Sequence, residues 1–554
     1  MGLLNTLLGR RNITTVLTSA RRTTNKIHKN IRKNRSLLFG RKQKVDFKSI
    51  LSEKTNEAEA LAIQKQKKKG KLSARQRIDL LLDPSTFVEI GQFIGGSLDD
   101  ENFRGTAVIT GFGNINGQKV CIYAQDFSIN GGSLGEVEGQ KICNLLDLAL
   151  DERIPVVAML DSGGARIQEG VVALGNYGRI FRKTAMASGV VPQISLILGP
   201  CAGGAVYCPA LTDFVIMTTQ NSHMFVTGPD VVRAVTGEDV TADELGGARM
   251  HSEISGVSHH LADSEENAIE YTRVLLSFLP ANSQTTPTIY DYRPTSHDEK
   301  NAAYLESILP ESAKSTYDIL DVIYSIVDYE EFLEVHQLFA PSAVVGFARI
   351  GGRTVGIVAN QPAFNAGTLD IDASEKIARF VQLCDAFNIG IVTLVDVPGY
   401  RPGITQERSG IIRRGAKVIT AYATATVPLI TIVLRKAYGG AYIVMGSKEI
   451  GADINLAWSN AQIAVLGAEG AVQIVYRRKL AEAKSNGEDV EKLRRELIDQ
   501  YAKEAINTRL SLKKGALDAE ISPSDTRRYI IESLDLLKDK KKQKVKRKHD
   551  NRPL

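Results

Sequence analysis

Two pairs of glycine turns carry the chemistry this sequence can do. In the first half, IPVVAMLDSGGARIQEG (Ile154–Gly170) is followed by VPQISLILGPCAGGAVY (Val191–Tyr207). In the second, IGIVTLVDVPGYRPG (Ile389–Gly403) is followed by VPLITIVLRKAYGGAYI (Val427–Ile443). Asp161 aligns with Asp396, Pro192 with Pro428, Gly203 with Gly439 and Gly204 with Gly440, at an offset of 235 or 236 residues. So long a period excludes a solenoid and indicates two copies of one domain. Glycine at such turns lets main-chain N–H groups approach a ligand with no Cβ in the way. The first amides of a helix have no internal partner, and the helix dipole favours negative charge there. Two turns per unit aimed at a common point make an oxyanion hole, suited to an enolate formed from a thioester. One such donor is worth roughly 3–4 kcal/mol of transition-state stabilisation. Main-chain donors require no side-chain nucleophile, and the sequence has no HExxH pair or GxxxxGK[ST] loop.

The other chemistry-bearing residues read more plainly. A single Gly-Gly-Ala is equally explained by close helix packing; its recurrence at matched spacing favours a site. Asp161 and Asp396, at strand ends, read as helix-capping or turn residues rather than bases. His223, His251, His259 and His260 read as packed or hydrogen-bonded histidines rather than ligands. Cys201 and Cys208 fill small gaps. Arg413, Arg414 and Lys417, after Gly410, suit either a phosphate-bearing tail or a solvated helix face.

These turns need an α/β scaffold. Each unit reads as a buried strand ending in an acidic residue and a glycine turn, a helix, a second buried strand, and a Gly-Gly-Ala that opens another helix. Ahead of the repeat, a Lys-rich helix ends at Gly70, and Ala74–Leu82 (ARQRIDLLL) has helical apolar spacing. Around Ser283–Glu299 the chain turns polar, with Pro287 and Pro294, which predicts a linker and a fresh start near Ala302.

Composition bounds the class. The chain has 554 residues, of which 43% are hydrophobic and 24% charged, enough for two to four ordinary globular domains. The net charge of +6 is unevenly distributed: residues 1–45 contribute +12 and residues 538–552 +7, leaving 46–537 at −13. An acidic body with basic ends argues against a nucleic-acid enzyme. The head, rich in Arg, Lys, Ser and Thr and free of acids, reads as an organelle transit peptide or a basic extension. Five cysteines without a CxxC pair exclude a zinc ribbon and fit a reducing compartment, either a bacterial cytoplasm or a mitochondrial matrix. No apolar run is long enough to span a bilayer.

Longer motifs point to a family. DSGGARIQEG (Asp161–Gly170), GPCAGGAVY (Gly199–Tyr207), MFVTGPDVV (Met224–Val232), VTGEDV (Val235–Val240), ELGGA (Glu244–Ala248) and VANQP (Val358–Pro362) recur in one known family. So do DVPGYRPG (Asp396–Gly403), GIIRRGAK (Gly410–Lys417), RKAYGGAY (Arg435–Tyr442), ADINLAW (Ala452–Trp458) and the final KHDNRPL. Together they resemble the biotin-dependent acyl-CoA carboxylases, specifically their carboxyltransferase (β) subunits of the propionyl-CoA and acetyl/propionyl-CoA type, from about residue 60 to the C-terminus. The resemblance implies an α/β fold of two tandem crotonase-like domains. Residues 46–297 would form the N-terminal, acyl-CoA-side domain and 298–540 the C-terminal, biotin-side domain, flanked by a basic extension (1–45) and tail (541–554).

It further implies a homo-oligomer, a hexamer with active sites between protomers. The amides of Gly203 and Gly204, with the Gly163, Gly164, Ala165 turn, would hold the thioester oxygen. Those of Gly440 and Ala441, beside Gly439 and with the Gly399 turn, would polarise the biotin ureido oxygen. Carboxybiotin would give up CO₂ to a thioester enolate, each half supplying its own oxyanion hole. No Met-Lys-Met biotin-attachment motif and no ATP module occur in the sequence. Biotin is therefore expected on a separate biotin carboxylase or biotin carboxyl carrier subunit, and no metal is expected on this chain. Lack of a four-Cys ribbon separates the chain from the β subunit of the split bacterial acetyl-CoA carboxylase. Ile443 stands where propionyl-specific relatives carry Asp, which leaves propionyl-CoA, acetyl-CoA or both as substrate. A decarboxylase or transcarboxylase subunit running the reverse half-reaction uses the same site.

Overall fold

The computed structural model describes residues 47–95, 105–312, 315–540, 548 and 550–553; the basic head and most of the basic tail lie outside them. The chain divides into a unit ending at Ala60, whose described part is the start of helix α1 (Phe47–Lys67), and a unit from Leu61 onward that holds both sheets. Beyond α1 the chain turns at Gly70, which adopts φ +67°. Helix α2 (Ala74–Leu81) then starts from a Ser73 cap that Gln76 reciprocates.

The first sheet contains β1 (Val88–Ile90), β2 (Val108–Ile115), β3 (Gln118–Gln125), β4 (Val156–Ser162), β5 (Gln193–Ala202), β6 (Phe214–Thr218), β7 (His223–Phe225) and β8 (His260–Ala262). Its order is 1-2-3-4-5-6-8, with β7 on β5. The second contains β9 (Phe332–Val335), β10 (Ala343–Ile350), β11 (Arg353–Asn360), β12 (Gly390–Val397), β13 (Leu429–Tyr438), β14 (Ile454–Trp458), β15 (Gln462–Ala464) and β16 (Ala519–Ile521). Its order is 9-10-11-12-13-14-16, with β15 on β13. Strand for strand, β10–β16 repeat β2–β8. The first three strands of each sheet, β1–β3 and β9–β11, pair antiparallel, and the remaining pairings are parallel. Parallel strands are covered on both faces, so they read as unbroken apolar runs; every residue of β4 and β12 is buried.

Helices α3 (Glu136–Asp151) and α4 (Val171–Ala187) make the crossovers on either side of β4, and α5 (Ile371–Ala386) and α6 (Ile411–Thr424) do so around β12. The two copies share one core. Phe347 of β10 lies 6.2 Å, centroid to centroid, from Phe214 of β6 and also from Phe278, and 5.1 Å from Phe380 of α5. Between the copies, residues 280–295 have no regular structure, as the linker reading expects. The next helix begins earlier than expected, at Ser296 rather than near Ala302. Thr295 caps it, and Asp298 accepts from the Thr295 N–H at 2.6 Å. Reading a start from apolar periodicity overlooked this polar first turn.

Candidate active site

In each copy both glycine turns follow the C-terminal ends of the two central strands, β4 and β5 in the first, β12 and β13 in the second. There the parallel ladder slips: Leu160 pairs Ile197 but Ser162 pairs Cys201, and Val395 pairs Val433 but Val397 pairs Ala437. The extra residues of β5 and β13 spread the strands, and Asp161 and Asp396 lie in the gap. Each Asp N–H donates to a side-chain amide oxygen on the neighbouring strand, Gln125 for Asp161 (3.1 Å) and Asn360 for Asp396 (3.3 Å).

Neither aspartate caps a helix; the structure corrects that expectation. Both are buried counter-ions. The carboxylate of Asp161 meets Lys71 at 2.5 Å and Arg77 at 3.0 Å, and Arg77 also forks onto Glu265 at 2.7 and 2.8 Å. That of Asp396 accepts from Arg435 Nε (2.9 Å) and from the Lys436 N–H (3.1 Å). Burial raises the pKa of the Asp396 carboxyl, and Arg435 opposes the rise. The copies solve one problem with different cations. At the 236-residue offset Arg435 corresponds to Gly199, where a Cβ would lie 2.0 Å from Asp161 Oδ1 and 2.5 Å from Lys71 Nζ. The space that Arg435 fills in the second copy is taken in the first by a lysine and an arginine from outside the repeat.

Gly-Gly-Ala follows directly. Gly203 and Gly204 open a 3₁₀ turn, Gly203–Val206, after β5. Gly439, Gly440 and Ala441 open helix α7 (Gly439–Val444) after β13. Their N–H groups are the initial ones of each helix and so lack intrahelical acceptors. Gly203 and Gly439 have φ of +65° and +60°, the left-handed region that glycine enters without strain. A Cβ on Gly203 or Gly440 would meet no described atom within 4 Å, so both face open space. Gly204 differs: its Cβ would rest 3.9 Å from the ring of Tyr177 on α4.

The partner turns are less alike than the sequence suggests. Leu134 bridges to Ala165, and Leu369 bridges to Tyr400, in the same parallel arrangement. In the first copy, however, the Gly163 N–H donates to Gly131 O (3.0 Å) and the Gly164 N–H to Ser162 Oγ (3.0 Å). The expectation that this whole turn presents its amides is therefore narrowed to Ala165, whose N–H takes part in neither bond of the bridge to Leu134. In the second copy Pro398 has no N–H, and the backbone bonds around the bend use the carbonyl of Gly399 rather than its amide. The Gly164 turn presses on β5, with a Cβ there 3.0 Å from Ala202 O, whereas Gly399 has no described atom within 4 Å of that position. The Gly-Gly-Ala turns differ the other way, since a Cβ on Gly439 would lie 3.0 Å from Val465 O and one on Gly203 would meet nothing within 4 Å.

The remaining expected residues are accounted for. Ile443 lies on α7 and is 44% exposed. His223 pairs with Asp243 (2.9 Å), His251 bonds Met224 O (2.7 Å), His260 stacks on Tyr271 and His259 on His336. All four are packed or hydrogen-bonded, as read. Cys201 and Cys208 are buried thiols; burial pushes Cys201 up to about 12. Arg414 and Lys417 both pair with Glu375, at 2.9 and 2.7 Å. Sequence reasoning missed Arg77, although it occupies the buried stripe Ala74–Arg77–Ile78–Leu81 of α2. A charge at a core position of a helical repeat was the available signal.

Comparison with known proteins decides the class. The carboxyl transferase domain family matches residues 65–552. The chain belongs to the carboxyl transferase family. It is an enzyme, a carboxyltransferase subunit of the biotin-dependent acyl-CoA carboxylase type, built from two crotonase-like units. It is 53% identical over 507 residues to the propionyl-CoA carboxylase beta chain of Saccharopolyspora erythraea, a match covering 89% of this chain and 92% of that one. To the mitochondrial propionyl-CoA carboxylase beta chain of Homo sapiens it is 48% identical over 499 residues, covering 89% and 90%. Among solved structures it is similar to transcarboxylase 12S, described as a hexamer assembly with methylmalonyl-coenzyme A and methylmalonic acid bound. The TM-score is 0.85 and the identity 45%, covering 91% of this chain and 97% of that one.

Proposed function

We propose that the chain moves a carboxyl group from a biotin carried on another polypeptide to the α-carbon of a short acyl-CoA, propionyl-CoA or acetyl-CoA. Residues 46–297 hold the thioester and residues 298–540 the biotin ring. The observation that carries this reading is the duplicated set of bare helix-opening amides at the ends of β5 and β13.

The N–H groups of Gly203 and Gly204, with Ala165, face the thioester oxygen. As the α-proton leaves, to a biotin ring that would accept it once its carboxyl group has gone, charge grows on that oxygen, and donors fixed in place stabilise it with no reorganisation. The N–H groups of Gly440 and Ala441, beside Gly439 and the Gly399 bend, face the ring carbonyl. When bound, biotin supplies the carboxyl group in activated form. Main-chain donors carry the developing charge, so the reading needs no metal on this chain.

Assembly into a hexamer, with each site closed by a neighbouring protomer, is part of the proposal. Apolar side chains left exposed beside the turns support it: Ile167, Val171 and Leu174 near the first, Ile443, Val465 and Ile474 near the second. The biotin-bearing partner is a biotin carboxylase or carboxyl carrier subunit. The compartment is read as the cytoplasm, or the mitochondrial matrix if residues 1–45 are removed on import. No helix among the described residues is long and apolar enough to cross a membrane. The likeness to transcarboxylase 12S favours one further reading, a subunit that removes the carboxyl group from a methylmalonyl thioester. Co-purification with a biotin carboxylase subunit supports carboxylation; co-purification with a membrane pump subunit supports removal.

The test is reverse transfer. The purified assembly, given free biotin and methylmalonyl-CoA or malonyl-CoA, is expected to turn over slowly. No turnover with any malonyl-type thioester, in a folded assembly, defeats the proposal.

A further inference from the structure

The two duplicated sites differ at residues that neither glycine motif includes. Ser162, the last residue of β4, is fully buried. Its hydroxyl donates to Gly132 O at 2.7 Å and accepts from the Gly164 N–H at 3.0 Å. Gly132 itself packs so closely on β4 that a Cβ would lie 2.1 Å from Asp161 O. One hydroxyl thus ties the Gly164 bend down onto the strand end, against Ala202 and the start of the Gly-Gly-Ala turn. Tyr177 reaches the same point from α4. Its ring lies under Gly204, 3.9 Å from the Cβ position. Its buried hydroxyl makes no well-formed hydrogen bond among the described residues. That hydroxyl nonetheless lies close enough to Ser162 for the serine to lower its pKa, against the rise that burial causes.

The second copy has neither hydroxyl. At the repeat offset Ser162 becomes Val397 and Gly163 becomes Pro398. The helices that follow open at Gly170 and Gly410, 240 residues apart, which sets Tyr177 opposite Lys417. The Gly399 carbonyl accepts from the Leu369 N–H at 3.1 Å, but Val397 has no hydroxyl to hold that bend to the strand end. A buried serine and tyrosine present in one copy and absent from the other are not required by the shared fold.

We propose that Ser162 and Tyr177 are positioning residues that fix the amides of the first site for the acyl thioester, and that the duplicate does without them. The inference rests on the assignment of the first half to the thioester. Ser162 fixes the bend that presents Ala165, and Tyr177 supports the Gly203–Gly204 amides from beneath. Neither touches substrate.

The experiment uses the full-length assembly in reverse transfer from methylmalonyl-CoA to free biotin, with Ser162→Ala and Tyr177→Leu. For Ser162→Ala kcat/KM for the thioester is expected to fall about tenfold, the effect of losing one buried hydrogen bond; Tyr177→Leu, which removes the ring beneath Gly204, is expected to lower it too. KM for biotin is expected to stay within about twofold, since uniform damage would move both substrates together. Thioester kcat/KM unchanged in Tyr177→Leu, or KM for biotin rising as much as KM for the thioester, overturns the proposal. Tyr177→Leu decides alone if Ser162→Ala does not fold. A wild-type assembly without turnover defeats the functional reading, and this inference with it; an active wild type with indifferent variants defeats this inference only.

Discussion

Substitution of Gly440 by valine separates the two halves chemically. Gly440 is the second residue of α7, its φ is not positive, and no described atom lies within 4 Å of where a Cβ would stand. The isopropyl group therefore enters open space rather than the core. Gly→Val in a helix changes intrinsic propensity by only a few tenths of a kcal/mol, so the melting temperature is expected to move by less than about 2 °C. The functional cost is large because the side chain stands over the amides of Gly439, Gly440 and Ala441. Blocking one oxyanion donor lowers kcat by roughly 10²–10³, or about 3–4 kcal/mol. The assay is reverse transfer at saturating methylmalonyl-CoA with biotin varied, then the converse. Biotin use is expected to fall about 100-fold, while KM for the thioester holds within about twofold. Gly204→Val, which pushes toward Tyr177, is expected to show the opposite pattern. Equal losses on both substrates in either folded variant, or no loss for Gly440→Val, would refute the division of labour.

Other outcomes follow from groups outside the clefts. Arg77→Met leaves Glu265 and Asp161 short of their shared guanidinium in a buried site, so unfolding should become easier by about 3–5 kcal/mol, read as a lower denaturation midpoint; an unchanged midpoint would mean that Lys71 suffices. His259 and His336 stack 4.1 Å apart where the copies meet, with Lys376 and Arg379 nearby, and burial holds His336 down to about 3 and His259 well below 6.5. Unfolded, both would titrate near 6.5, so the unfolded chain binds more protons below that value. Stability is complete above about pH 6.5 and falls toward pH 3 by up to about 1.4 kcal/mol per pH unit for each histidine. His336→Gln should flatten that slope, and an identical slope would assign acid loss to other groups. Ile443→Asp, at a half-exposed position, should leave the melting temperature unaltered and shift preference from acetyl-CoA toward propionyl-CoA in paired kcat/KM measurements; an unchanged ratio would place the acyl pocket elsewhere.

Sequence by itself determined the duplicated α/β plan and the glycines at its turns. Parallel strands buried on both faces must be apolar throughout, and turns that bring amides to a ligand must lack side chains; both requirements are written in residue type and spacing, from Ile154–Gly170 through Val427–Ile443. What only the tertiary structure decided is which polar groups remain available. Asp161 looked like a cap because its partners, Lys71 and Arg77, lie 90 and 84 residues before it, and only folding brings them together. Gly163 and Gly164 looked like donors, yet their amides bond Gly131 and Ser162. A hydrogen bond depends on a few ångströms and an angle between atoms distant along the chain, and spacing along the chain does not encode that. The repeat predicts two equivalent sites. Contacts made by residues that were not duplicated, Ser162, Tyr177, Lys71 and Arg77, make them unequal.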